Sequence, residues 1–269
     1  MLKPCPSCGH PIEPGTDKFC PECGTQLSAS GEAIGPAVAV GDATSYGPIR
    51  PRGAVAGPVL ALLNEAGDVA EQFTLDRDRT TIGRTDADIC FKDDLFMSPL
   101  HAHVGLRDGE LVVRDLGSRN GTWIFIDEPY RLQDGDTILL GSQLIRFRRL
   151  GYPAPHPPEA DQTRRLGSLT PSADVAMLAQ LRADGSTRDS MMLSPGRTVK
   201  IGRDVGDWVF PYDKTMSGKH AEIRSEDLQF IVLDDGSRNG IAVAARGEQA
   251  VKVGQRILIG DQTLRVKSL

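Results

Sequence analysis

The chain has 269 residues, room for about two domains of ordinary size, with the 39% hydrophobic and 25% charged content of soluble globular protein carrying some linker. No apolar run approaches the roughly 18 residues of a membrane-crossing helix, and Cys5 with its neighbouring prolines and glycines stands where a secretory signal would be apolar; the cytoplasm is the expected location. A net charge of -5 argues against nucleic acid as the main partner, because counterion release rewards a strong positive field.

Residues 1–27 open the chain with two knuckles, Cys5-Pro6-Ser7-Cys8-Gly9 and Cys20-Pro21-Glu22-Cys23-Gly24. Each tight turn brings two thiolates toward one point, and the glycine after each pair accepts the positive φ such a turn needs. Four thiolates, Cys5, Cys8, Cys20 and Cys23, suit one structural Zn²⁺ in a closed tetrahedral site. Two disulfides or redox pairs are the alternative, disfavoured in a cytosolic chain. The stretch resembles a small rubredoxin-like zinc ribbon, whose folding the metal would support because so short a segment buries little core. His10 adds nothing that four cysteines lack. Lys3 and Lys18 are offset by Glu13, Asp17 and Glu22, which favours a spacer or protein-contact role.

Residues 28–57 run Ser, Ala, Gly, Pro and Val without period and read as a flexible linker. Residues 151–173 form a second linker, Pro-rich at its start and therefore extended. It carries Thr163, between acidic and basic residues, and Thr170 before Pro171, both candidate phosphorylation sites.

Residues 58–150 and 174–269 share one texture. Short apolar runs such as Val59–Leu63, Thr137–Leu140 and Arg256–Ile259 alternate with Gly, Asp and Asn turns. No 3.6-residue period persists, so the class is all-β, with two antiparallel sandwiches in tandem. The two stretches are copies: Gly83-Arg84, Ser98-x-x-His101 and Ser118-Arg119-Asn120-Gly121 recur as Gly202-Arg203, Ser217-x-x-His220 and Ser237-Arg238-Asn239-Gly240, each displaced by 119 positions. Their chemistry is that of an anion reader on loops. A guanidinium fork matches phosphate, a serine hydroxyl donates, and an asparagine both donates and accepts along a peptide backbone. Ser98, His101 and Asp115 superficially suggest a hydrolase, but no GxSxG elbow or oxyanion partner accompanies them. Trp123, Trp208 and Phe210 read as core, Cys90 as a small buried hydrophobe, and Arg107 as part of a solvated face.

These spacings are similar to those of the forkhead-associated (FHA) domain, a phosphothreonine-binding module. The resemblance implies two eleven-stranded β-sandwiches. It implies that Arg84 and Ser98, and Arg203 and Ser217, contact phosphate. Asn120 and Asn239 would hold the peptide backbone beside Arg119 and Arg238, with Gly83, His101, Gly121, Gly202, His220 and Gly240 shaping the loops. The copies differ after the serine. Pro99-Leu100 removes donors from the first loop, whereas Gly218-Lys219 leaves Lys219 for a charge-assisted contact, which favours the second copy as the stronger reader.

The function expected is a non-catalytic adaptor for phosphothreonine-containing proteins, a Ser/Thr protein kinase or its substrates, with two sites raising avidity if the linker spans them. Two alternatives stay open: a phosphorylated linker threonine docking into its own domain, and a phosphate-independent docking scaffold.

Overall fold

The structure, a computed structural model, describes residues 3, 4, 11–13, 57–150, 157–164, 174–226 and 229–269. The chain divides into a unit up to Ala54 and a unit from Val55 onward. In the former, β1 (Lys3–Pro4) pairs antiparallel with β2 (Pro11–Ile12), either side of the first knuckle in sequence. Cys5, Cys8, Cys20 and Cys23 lie outside the described residues, as do Thr170 and all of the first linker but Gly57.

The larger unit is all-β, and its described residues contain no helix. The first repeat supplies β3 (Val59–Leu63), β4 (Val69–Thr74), β5 (Arg79–Gly83), β6 (Ile89–Cys90), β7 (Ala102–Arg107), β8 (Glu110–Asp115), β9 (Thr122–Phe125), β10 (Tyr130–Arg131), β11 (Thr137–Leu140) and β12 (Gln143–Arg149). The second supplies β13 (Ala176–Leu181), β14 (Thr187–Leu193), β15 (Thr198–Gly202), β16 (Trp208–Val209), β17 (Ala221–Glu226), β18 (Gln229–Asp234), β19 (Ile241–Ala244), β20 (Glu248–Val251), β21 (Arg256–Ile259) and β22 (Gln262–Ser268). Among the described residues each repeat thus contributes ten strands, not eleven. The stretch from Lys92 to Leu100 runs as turns and bends, pinned by Asp94 accepting from the amides of Phe96 and Met97.

The strand pairing does not close each repeat on itself. After β9 and after β19 the two repeats exchange their C-terminal strands. β8 pairs with β20 and β18 with β10, so each five-stranded sheet ends on a strand from the other copy. A single ten-stranded sheet runs β14-β13-β12-β11-β19-β9-β21-β22-β3-β4, symmetric about its central pair. Two cores result. Ile138, Leu140, Ile145 and Phe147 of the first repeat pack with Leu178, Val199, Phe230 and Val232 of the second. Ile257, Ile259, Leu264 and Val266 of the second pack with Leu60, Ile82, Val104 and Val113 of the first.

Periodicity cannot reveal this exchange, because β11–β12 and β21–β22 bury the same alternating aliphatic pattern and either hairpin fits either sandwich. Charge discriminates where hydrophobicity does not. Glu248 on β20 pairs with Arg107 on β7 and lies 3.8 Å from His103. Were the second repeat closed on itself, the 119-residue register would set Glu248 against Glu226 and Glu222 instead. Arg246 likewise crosses to the buried Asp136 at 3.2 Å, and Lys252 to Glu128 at 3.0 Å.

Trp123, Trp208 and Phe210 are buried as expected. Cys90 is not: it is exposed on β6, which pairs only with β5, and its thiol donates to the carbonyl of Ala87 at 3.0 Å. Arg107 is exposed but ion-paired rather than merely solvated.

Candidate functional site

In both copies the sequence motifs converge on the loops that follow β5, β6 and β8, or β15, β16 and β18. The glycine at each arginine's left is a matter of space: a Cβ on Gly83 would fall 2.2 Å from the Pro99 carbonyl oxygen, and one on Gly202 2.3 Å from that of Gly218. This closeness lets the Arg84 amide donate to Ser98 O and the Arg203 amide to Ser217 O, both at 2.9 Å, tying each arginine to its serine loop.

The histidines are internal braces. His101 and His220 are fully buried. In each, Nδ1 accepts from the serine amide at 3.0 Å. Nε2 then carries the proton and donates to the carbonyl of Gly121 (3.0 Å) or Gly240 (3.2 Å). One imidazole thereby joins the serine loop to the asparagine loop, a use that excludes it from acting as a hydrolytic base. Asp115 likewise works as a turn-former, accepting from Gly117 N, Ser118 N, Ser118 Oγ and Thr122 Oγ1. Burial raises its pKa, but those donors, led by the Ser118 hydroxyl, outweigh it and leave the carboxylate more acidic than usual.

Ser98 Oγ accepts from Arg119 N at 3.0 Å, and Ser217 Oγ from Arg238 N at 2.9 Å. Each hydroxyl therefore keeps its own proton to donate. Asn120 Nδ2 donates to Phe96 O at 2.7 Å and Asn239 Nδ2 to Thr215 O at 2.8 Å. Each asparagine's Oδ1 has no partner among the described residues, and the side chain is exposed. The arrangement presents an arginine, a hydroxyl donor and an amide acceptor on one rim. It is suited to a phosphoryl group on an extended peptide.

The serine loops rest on the exchanged hairpins. Asp94 Oδ2 accepts from Asp261 N at 2.8 Å and Gln262 Nε2 at 3.1 Å. In the other copy Asp213 Oδ2 accepts from Ser142 N, Ser142 Oγ and Gln143 Nε2 at 2.7–2.9 Å. The turn glycines are needed twice over. Gly141 and Gly260 take φ of 58° and 63°, and a Cβ on Gly260 would sit 2.6 Å from Asp94 Oδ2. Burial raises the Asp213 pKa, but hydrogen bonds from Thr215, Gln143 and Ser142 hold it well below the usual carboxylate range.

The sites are not equivalent. Arg84 is half-buried, and its Nε is buried without a partner among the described residues. Arg203 instead pairs with its neighbour Asp204, Nη2 to Oδ2 at 3.0 Å. The register puts Thr85 at that position in the first copy.

Family comparison agrees with this geometry. The FHA domain model matches residues 80–141 and again 199–262, and a zinc-ribbon domain model matches residues 5–27. The chain carries two FHA domains and an N-terminal zinc-ribbon domain. It is similar to the "Oxoglutarate dehydrogenase inhibitor" of Corynebacterium efficiens, 37% identical over 95 residues, covering 34% of this chain and 66% of that protein. It is also similar to the "Glycogen accumulation regulator GarA" of Mycolicibacterium smegmatis, 35% identical over 98 residues, covering 35% of this chain and 61% of that protein. A solved structure described as "Structural and functional analysis of phosphothreonine-dependent FHA domain interactions" aligns over 79% of this chain and 96% of its own, at 11% identity and a TM-score of 0.30.

Within the FHA domains, sequence reasoning placed the arginine, serine and asparagine on one rim and missed two contributors. Asp204 was visible as an acid beside Arg203 with threonine in register. The support from Asp94 and Asp213 to the opposite repeat's hairpin depends on the exchange and had no sequence signal. Lys219 is exposed on the second loop. Thr163 is exposed in the linker, its amide donating to Asp161 Oδ1 at 2.9 Å.

Proposed function

We propose that this chain is a non-catalytic, cytoplasmic regulator that reads phosphothreonine on partner proteins downstream of a Ser/Thr protein kinase. The observation that carries the reading is the buried Nε of Arg84 beside the serine loop, without a partner among the described residues. A buried donor without an acceptor costs stability unless a ligand supplies one, and a phosphoryl oxygen does so with charge assistance. A phosphothreonine brings about -1.5 to -2 charges and three acceptor oxygens, so an unmodified peptide lacks what the site needs.

Arg84 and Ser98 would take the phosphate in the first domain, and Arg203, Ser217 and Lys219 in the second. Asn120 and Asn239 would hold the peptide backbone, beside Arg119 and Arg238. The names of the relatives, an inhibitor of one enzyme and a regulator of glycogen accumulation, support regulation of enzymes by binding. The tie between Arg203 and Asp204 reverses the order suggested by the loop sequences: the first site is the better prepared for an anion. The zinc ribbon would hold one structural Zn²⁺ through Cys5, Cys8, Cys20 and Cys23; an all-thiolate set leaves no open position for catalysis.

Calorimetric titration with a phosphothreonine peptide, its unphosphorylated form and its phosphoserine form tests the proposal. Binding should require the phosphate, favour phosphothreonine, and fall at one site with Arg84→Ala and at the other with Arg203→Ala. Equal binding of phosphorylated and plain peptides, or no effect of either arginine, overturns it.

A further inference from the structure

Beside the second site, the ten-stranded sheet carries a groove lined by arginines. It holds about 550 Å³ and is bounded by the Thr215 and Arg238–Gly240 loops of the second FHA domain and by the Leu63–Gly67 turn of the first. Leu139, Phe125 and Leu258 form its floor, and Arg238, Arg256 and Arg265 line it. Among the described residues none of the three arginines has a carboxylate within ion-pair distance. Glu65 is the one acid on the rim, and it is exposed.

Three details show a groove arranged for a ligand. Arg256 and Arg265 stand directly opposite each other on β21 and β22, where like charges repel. Arg256 is held in that place: its guanidinium lies 4.1 Å above the Phe125 ring, and Nη2 donates to Asn239 O at 3.4 Å. Burial lowers its pKa, Asp127 and Asp234 on its other side oppose that, and Arg265 adds to the lowering. The first site differs in its side chains. There Trp123 stands in register with Ala242, its Nε1 donating to Asn120 O at 3.0 Å as Arg256 does to Asn239 O. Thr137 takes the register position of Arg256.

We infer that this groove binds a second anionic group on the peptide held at the second site, a carboxylate or a second phosphoryl group flanking the phosphothreonine. The inference rests on the phosphothreonine reading above. It assigns to Arg256 and Arg265 a specificity role that Arg146, the first copy's counterpart of Arg265, does not share. It also accounts for a second site whose own arginine is tied to Asp204: the affinity missing at the phosphate is regained beside it, so the two sites select different peptides.

The test uses the full chain carrying Arg84→Ala, so that only the second site reports. Fluorescence anisotropy is read with three phosphothreonine peptides of one core sequence, flanked by glutamines, by glutamates, or by glutamines with a second phosphothreonine. The glutamate peptide should bind roughly fivefold to tenfold tighter than the glutamine peptide, the value of one charge-assisted contact. Arg265→Gln should reduce that preference to within about twofold while leaving the glutamine peptide's affinity unchanged, which also shows that the variant folds. A doubly phosphorylated peptide that exceeds the glutamate peptide identifies a phosphoryl ligand, and one that matches it identifies a carboxylate. Equal binding of glutamate and glutamine peptides overturns the inference, as does an Arg146→Gln variant with the same effect as Arg265→Gln. If the glutamine peptide itself fails to bind in an Arg203-dependent way, the phosphothreonine reading has failed at this site, and that result is distinct.

Discussion

Replacing Leu264 by alanine alters the last strand of the second repeat, yet the cavity opens in the sandwich that carries the first site. Leu264 is fully buried and packs among Leu60, Ile82, Val104 and Val113. A Leu→Ala change at a site this enclosed, in a sheet that cannot collapse onto the void, costs about 3 kcal/mol. At 1.4 kcal/mol per factor of ten, amides that open together with that sandwich should exchange with solvent roughly 100-fold faster. Hydrogen exchange read by mass spectrometry separates the two outcomes. Loss of protection should concentrate in β3, β5, β7 and β8, while β13, β17 and β18 are spared. Ile145→Ala should do the converse, loosening β13, β17 and β18 from a position in the first repeat. If Leu264→Ala instead deprotects β17 and β18, the hairpins are not exchanged and the account of the fold is wrong.

Other perturbations follow from the same contacts. Asp204→Thr frees Arg203 and removes a like charge from the phosphate's path, so phosphothreonine affinity at the second site should rise roughly threefold or more in the Arg84→Ala background; an unchanged titration would show that the ion pair does not compete. Stability should fall as the pH drops below about 6.5. Burial, the main cause, depresses the folded pKa of His220 against the pull of the Gly240 carbonyl, Asp234 and Asp213, and of His103, where Arg79 assists and Glu248 opposes. The contribution of a group so depressed is intact above its ordinary value of 6.5 and is lost as pH falls through the folded one. Thermal midpoints without peptide measure this, and His220→Gln should flatten the slope. The depressed Asp115 and Asp213 lose their contribution only in acid, below the ordinary 3.8. Elemental analysis should find one zinc per chain, and Cys5→Ser should abolish it without changing phosphopeptide affinity; retained zinc would exclude the four-thiolate site.

Much of the fold was legible because burial alternates where the sequence alternates. Thr137–Leu140 and Arg256–Ile259 form strands at the bounds their apolar runs give, each turning at a glycine. The loop placement of Arg84, Ser98 and Asn120 was legible because they stand between apolar runs that form strands. Partner choice was not legible, since Ile138 and Ile257 suit either core equally well. What distinguishes the two arrangements is charge at scattered positions such as Glu248, meaningful only once Arg107 is known to lie opposite. Cys90 misled for a related reason: an apolar neighbourhood in sequence says nothing about whether a strand has one neighbour or two, and β6 has only β5.

The exchange also alters what a two-site chain can do. Had the sandwiches been beads on a string, residues 151–173 would set the reach, and any partner with two phosphothreonines could be embraced. Here the two asparagine loops lead into the central antiparallel pair, β9 and β19, of one continuous sheet, and each serine loop is seated on a hairpin from the other repeat. The chain is then a ruler rather than a leash. If both sites read phosphothreonine as proposed, the slack needed to fill them at once would come from the partner, and doubly modified partners would be sorted by the distance between their marks.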